Sequence, residues 1–148
     1  MTYIRLTQGW LYLVAMMDWF SRYVLSWKLS MTLEVEFCIA ALEEVLQRAT
    51  PEIFNSDQGA QFTSPALTSI LLQQEVRMSM DGRGRVFDNI FQERLWRSVK
   101  DEEVYVHEYD SVKPATHRIG NYVDLYNNRR LHEAVGDVPP AEIYHNAS

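Results

Sequence analysis

Cysteine is nearly absent. Cys38 stands alone in a chain of 148 residues, which excludes an internal disulfide and fits a reducing compartment. It lies in an apolar helical pattern and reads as an inert buried thiol, not a nucleophile. Long apolar runs are missing too. The stretch "WLYLVAMM" at 10–17 has the look of a signal-peptide core, but Asp18 closes it, no small-residue cleavage site follows, and it is too short to cross a bilayer. It reads as a buried strand, and the expected protein is soluble, cytoplasmic and without a membrane partner. Nothing in the chain reads as a low-complexity linker, and no internal repeat is visible. Positive charge is in deficit as well. The net charge of -6 speaks at first sight against nucleic acid as a partner.

What is present supports a folded domain. Apolar residues make up 47% of the chain and aromatics 12%, enough for one core and too much for a disordered segment. The charge is also unevenly spread. Between Arg77 and Lys100, six basic residues (Arg77, Arg83, Arg85, Arg94, Arg97, Lys100) face three acids (Asp81, Asp88, Glu93). The acidity gathers elsewhere, notably at Asp101, Glu102, Glu103, Glu108 and Asp110. A local basic face on an acidic protein is therefore expected.

Patterning predicts strands at Thr2–Leu6, Trp10–Met17 and 21–30, joined as an antiparallel meander with a turn at Gln8-Gly9. Val35, Cys38, Ile39, Leu42, Val45 and Leu46 recur at helical spacing over 34–48. "EIFNSD" is a fourth strand. Ser64 as cap and Pro65 at the first helical position start a helix over 64–74. A fifth strand follows at 76–80, then a glycine-bearing loop, "DGRGR", at 81–85. A long helix starts near Asn89, and 111–130 forms another, interrupted near Pro114. The order implies an α/β domain of the ribonuclease H-like class, a mixed five-stranded sheet flanked by helices on both faces.

Two carboxylates stand out. Asp57, in "FNSDQGAQFTS", falls where the fourth strand gives way to a loop, the edge of an α/β sheet where ligands collect, although Asp also favours turns for purely local reasons. In "NIFQERLWRSVK", Phe91, Leu95 and Val99 form the buried stripe, and Glu93 is turned away from it with Asn89, Arg97 and Lys100 on its own side. Read alone, that side is a solvated surface with a Glu93–Arg97 helical pair worth a few tenths of a kcal/mol.

Thirty-five residues separate the two acids. With this spacing, the words "TYIRLTQGWLYLVAMMDWFSRYVLSW", "FNSDQGAQFTS", "DGRGRVFDNIFQERLWRSVKDEEVY" and "YNNRRLHEAVGDVPPAEIY" resemble the DDE transposase and retroviral integrase catalytic core. They resemble especially the second-frame transposases of bacterial insertion sequences. The resemblance covers nearly the whole chain. It implies DNA transposition or integration by two-metal phosphoryl transfer. Asp57 and Glu93 would be two of three carboxylates holding a pair of Mg²⁺ (or Mn²⁺) ions, which prefer hard oxygen ligands and keep positions open for water and phosphate. It further implies that Asn89 lines the active site, that Arg97 and Lys100 grip the transposon end, and that Gln61 lies beside the DNA. Tyr126, Asn127, Arg130 and His132 match a signature of mostly structural role. The implied partners are DNA, as transposon ends and target, and a second copy or a full-length transposase.

The same resemblance places the first catalytic Asp two residues before the Thr that Thr2 matches, one residue ahead of Met1, and puts DNA-binding helices further upstream. The expectation is thus a truncated core with impaired strand transfer and weak metal binding. The alternatives are an intact enzyme whose start lies further upstream, and a non-catalytic module that binds DNA or pairs with full-length transposase. Asp18 matches a different position, the Asp before "FSR", and reads as an acid capping the turn into the third strand. His107, His117, His132 and His145 show no zinc or catalytic spacing.

Overall fold

The computed structural model describes residues 1–148 except 52, 57–59, 81–89, 130–137 and 147–148. Strands β1 (Thr2–Arg5), β2 (Trp10–Met17) and β3 (Val24–Ser30) form the expected antiparallel meander, with Tyr3 opposite Tyr12 and Ala15 opposite Trp27. Gly9 turns β1 into β2 at φ 96°, a left-handed conformation that glycine adopts without a Cβ penalty, and Leu6 N–H donates to its carbonyl at 3.0 Å. Strand β4 (Ile53–Ser56) runs parallel to β5 (Arg77–Met80). All five expected strands are present. Among the described residues they make two ladders, β1-β2-β3 and β4-β5, instead of the single five-stranded sheet expected.

Helix α1 (Val35–Arg48) lies between β3 and β4. The short α2 (Ala60–Thr63) and α3 (Pro65–Gln73) precede β5. At the start of α3, Ser64 Oγ accepts from Ala66 N–H at 3.3 Å and Pro65 occupies the first turn, as expected of that pair. Helix α4 (Ile90–Val99) runs directly into one π-helical turn, Lys100–Val104, closed by Tyr105 N–H donating to Lys100 O at 2.8 Å. Helices α5 (Val112–Asn128) and α6 (Pro140–Asn146) complete the chain.

Two expectations need correction. Pro114 does not interrupt its helix, because it lies in the first turn of α5, where the backbone N–H groups have no intrahelical acceptor to lose. The third strand starts at Val24, not at 21. Ser21 and Arg22 belong instead to a tight turn in which Asp18 Oδ2 accepts from Ser21 N–H at 3.0 Å and from Ser21 Oγ at 2.6 Å. Asp18 is thus the turn-capping acid that the sequence suggests.

Both faces of the β1-β2-β3 sheet are covered, which explains why "WLYLVAMM" is apolar without a polar face. On one side Leu11 and Leu13 pack with Ile4 of β1, with Tyr109, and with Leu95, Val99, Val104, Ile119, Tyr122 and Tyr126 of α4, the π-turn and α5. On the other, Val14 and Met16 pack with Cys38, Ala41, Leu42, Val45, Leu67 and Leu71 of α1 and α3. Cys38 is buried, as expected. Gly120 lets α5 approach β3 closely, since a Cβ there would meet the Trp27 ring at 3.2 Å.

Candidate active site

The site is built on α4. Leu95 and Val99 are each 2% exposed and seat one face of the helix in the core. Glu93, on the opposite side of the first turn, is exposed, as the helical spacing requires. The side chain of Phe91, the third member of the expected stripe, lies outside the description. Two side chains tie α4 to the sheet. Gln92 Nε2 donates to Ala15 O of β2 at 3.4 Å, and Lys100 Nζ donates to Tyr3 O of β1. The helix that carries Glu93 is therefore fixed at both ends over the antiparallel ladder.

Of the other expected residues, Arg97 is exposed one turn beyond Glu93, and the two form no ion pair among the described residues. Lys100 is half-buried, and that burial holds its ammonium below the ordinary lysine pKa. Gln61 on α2 is half-buried and donates from Nε2 to Leu33 O at 3.3 Å, just before α1. Asp57, which follows the last residue of β4, and Asn89, which precedes α4, lie outside the described residues, as do Arg130 and His132. Among the described residues no three His, Cys, Asp or Glu side chains are grouped to hold a metal ion. Of the two expected metal carboxylates, Glu93 is the one among the described residues, and it is exposed, a hard oxygen donor of the kind Mg²⁺ takes.

The C-terminal signature is structural where it is described. Asn127 is buried on α5 and brackets the start of β3, with Oδ1 accepting from Val24 N–H at 2.8 Å and Nδ2 donating to Val24 O at 3.0 Å. Tyr126 beside it is pushed up to about 12 by burial, against the opposing charge of Arg22.

Glu103, one of the acids of the stretch 101–110, is buried in the π-turn, where Tyr109 Oη donates to its Oε2 at 2.5 Å and His107 Nδ1 lies 3.1 Å from the same oxygen. It falls four residues after Val99, so the spacing of the buried stripe runs on to it. Thr7 extends the same knot, its N–H and Oγ1 donating to Tyr109 O at 2.8 and 3.1 Å.

Comparison with known proteins gives the following. Residues 1–85 match the model of the integrase core domain, and residues 74–140 match a second integrase core domain model. The chain is 32% identical over 143 residues to the transposase for insertion sequence element IS629 of Shigella sonnei, covering 95% of this chain and 48% of that one. It spans about half the length of the curated relatives it matches. The fold is similar to that of the catalytic core domain of BIV integrase, with a TM-score of 0.73 at 15% identity over 99% of this chain and 91% of that one. It is also similar to the HTLV-2 integrase catalytic core domain in complex with magnesium, with a TM-score of 0.66 at 17% identity over 97% of this chain and 90% of that one. No helix among the described residues is long and apolar enough to cross a membrane.

Proposed function

Since this chain belongs to the integrase core domain family, we propose that it is the catalytic core of a DNA transposase, acting by Mg²⁺- or Mn²⁺-dependent phosphoryl transfer with Asp57 and Glu93 as metal carboxylates. One observation carries this reading: Glu93 is exposed on the first turn of a helix fixed to the sheet by Gln92 and Lys100, so its carboxylate is offered outward on a rigid support. When bound, the metal pair supplies an activated water or 3′-hydroxyl and neutralises the leaving oxygen.

The chain's own residues divide the remaining tasks. Glu93 presents its oxygens at the N-terminal end of α4, and Asp57, immediately after β4, supplies the second carboxylate. Arg97, exposed on the side of Glu93, grips a backbone phosphate. Lys100 acts first as the clamp that holds α4 to β1, and Gln61 and Asn89 flank the DNA. A second copy or a full-length transposase completes the assembly.

A metal pair held by Asp57 and Glu93 alone would be held loosely, so a polypeptide of residues 1–148 is expected to bind Mg²⁺ weakly by calorimetry and to give little strand transfer on transposon-end DNA. Placing an Asp directly before Met1 should tighten metal binding, and Asp57→Asn or Glu93→Gln should abolish the gain. DNA binding should be weak, salt-sensitive and indifferent to sequence. Robust Mg²⁺-dependent cleavage that survives Glu93→Gln would overturn the assignment. So would a crystal structure with the Asp57 and Glu93 carboxylates much farther apart than the roughly 4–8 Å of a shared metal site.

A further inference from the structure

One end of the antiparallel ladder is uncovered on one side. Cross-strand partners share a face, so Tyr3 with Tyr12 and Arg5 with Trp10 stand on the side opposite Ile4 and Leu11. Helices α1 and α3 cover that side over Val14 and Met16. At the hairpin end the cover stops: Tyr3 is 56% and Trp10 57% exposed, Arg5 is exposed and Tyr12 is half-buried. The Tyr3 ring meets the other two edge-on, with centroids 6.4 Å from Trp10 at 77° and 5.4 Å from Tyr12 at 60°. None of the three is stacked on another ring among the described residues, so flat faces remain open to a planar ligand.

Charge and place narrow the ligand. Arg5 forms no ion pair among the described residues, so this face of an acidic protein carries a local positive charge. A second copy of the chain suits it poorly, since two-fold pairing of the face with itself would bring two Arg5 guanidiniums into one interface. Aromatic faces beside a cation are instead what a single nucleic-acid strand takes, bases on the rings and phosphate on the arginine. The 6.4 Å between the Tyr3 and Trp10 rings exceeds the about 3.4 Å per nucleotide of a stacked strand. Bases on both rings must therefore be drawn apart, which an unpaired strand permits and a duplex does not. Lys100, at the end of α4, donates to the carbonyl of Tyr3 itself. Glu93 lies roughly 10 Å back along that helix, so a strand following α4 from Glu93 past Arg97 arrives at β1.

We propose that Tyr3, Arg5, Trp10 and Tyr12 form a binding face for unpaired DNA, with bases stacked on Tyr3 and Trp10, Tyr12 backing the Tyr3 ring, and Arg5 on a phosphate. It rests on the DNA-acting reading above and names the form of DNA that this face takes.

The test is binding of a fluorescein-labelled oligothymidylate and, separately, of a random-sequence duplex to the 148-residue chain, read by anisotropy. Trp10→Thr and Tyr3→Thr should each weaken single-strand binding about fivefold or more, with threonine keeping the strand propensity. Tyr3→Phe should preserve it, because stacking uses the ring and not the hydroxyl. Arg5→Gln should lower the slope of log affinity against log salt by about 0.7, the value for one phosphate of a single strand. Leu72→Gln, exposed on α3, should change nothing, which separates this face from nonspecific apolar contact. Single-strand binding that survives both threonine variants, or that is absent while the duplex binds, overturns the face and leaves the function reading standing. Single-strand binding that the variants abolish, with no duplex binding, upholds the face and overturns the function reading. Binding of neither DNA overturns both. A chain that sediments as a dimer, and as a monomer with Trp10→Thr, assigns the face to a second copy and overturns the proposal.

Discussion

The two faces of the antiparallel ladder are packed by different means. Under α1 and α3 the buried residues are aliphatic apart from Phe62 and Cys38, and dispersion and desolvation hold the layer together. Under α4, the π-turn and α5, the core also contains three tyrosines, and Glu103 and Asn127 are buried with partners in register. Hydrophobic burial is non-directional and tolerates sliding, whereas a buried hydrogen bond fixes position to a few tenths of an ångström. The face that carries Glu93, Arg94 and Arg97 is the one held by directional contacts. A surface that must place charges accurately benefits from that choice, while the opposite layer supplies bulk stability.

Substitutions can separate the two. Leu42→Ala, fully buried under α1, should cost about 2–5 kcal/mol in chemical denaturation by leaving a cavity, while the folded fraction keeps its DNA affinity. Asn127→Leu should cost slightly less, about 2–4 kcal/mol, since it strands the N–H and C=O of Val24 in the interior. Unlike Leu42→Ala it should also loosen the seating of β3 on α5, visible as faster amide exchange at Val24. Equal exchange in the two variants would remove the distinction between the faces.

A pH titration addresses one face alone. Burial raises the pKa values of Tyr109, Tyr122 and Tyr126 above 10.0, that of Tyr126 to about 12. A phenol whose folded pKa exceeds its unfolded one contributes stability in full below the unfolded value and loses it as pH rises toward the folded value. Stability should therefore fall between about pH 10 and 12, by roughly 2 kcal/mol for Tyr126. Tyr126→Phe should flatten that fall, followed by circular dichroism, whereas Leu42→Ala should leave its shape unchanged. The smallest effect is expected at Ser26, the register partner of Met16. Its hydroxyl is buried with no hydrogen-bond partner among the described residues, so Ser26→Ala should be neutral or stabilising by up to about 1 kcal/mol. A clear loss of stability would mean that the hydroxyl is satisfied after all.

Much of the fold was legible because its signals are local. The run 10–17 with its closing Asp18, the Ser64-Pro65 helix start and the four-residue spacing of Leu95 and Val99 each state a conformation within a few residues, and each is found where expected. The same spacing puts Glu93 on the outer side of α4, where it is exposed. Pro114 was misjudged because a breaker inside a pattern and a tolerated proline in a first turn differ only in where the helix begins.

The amino-acid sequence by itself determined the five strands, helices α1, α3, α4 and α5, which side of α4 is apolar, and, through its spaced carboxylates and motif words, the family. Tertiary structure alone decided the rest. The anchoring of Lys100 on the Tyr3 carbonyl and the clasp of Asn127 on Val24 join residues across 97 and 103 positions of chain, and Tyr109 closes over the buried Glu103. Periodicity and capping are set by neighbours along the backbone. Whether a charge is buried or clamped depends on which surfaces the packed layers close over, and no local pattern encodes that.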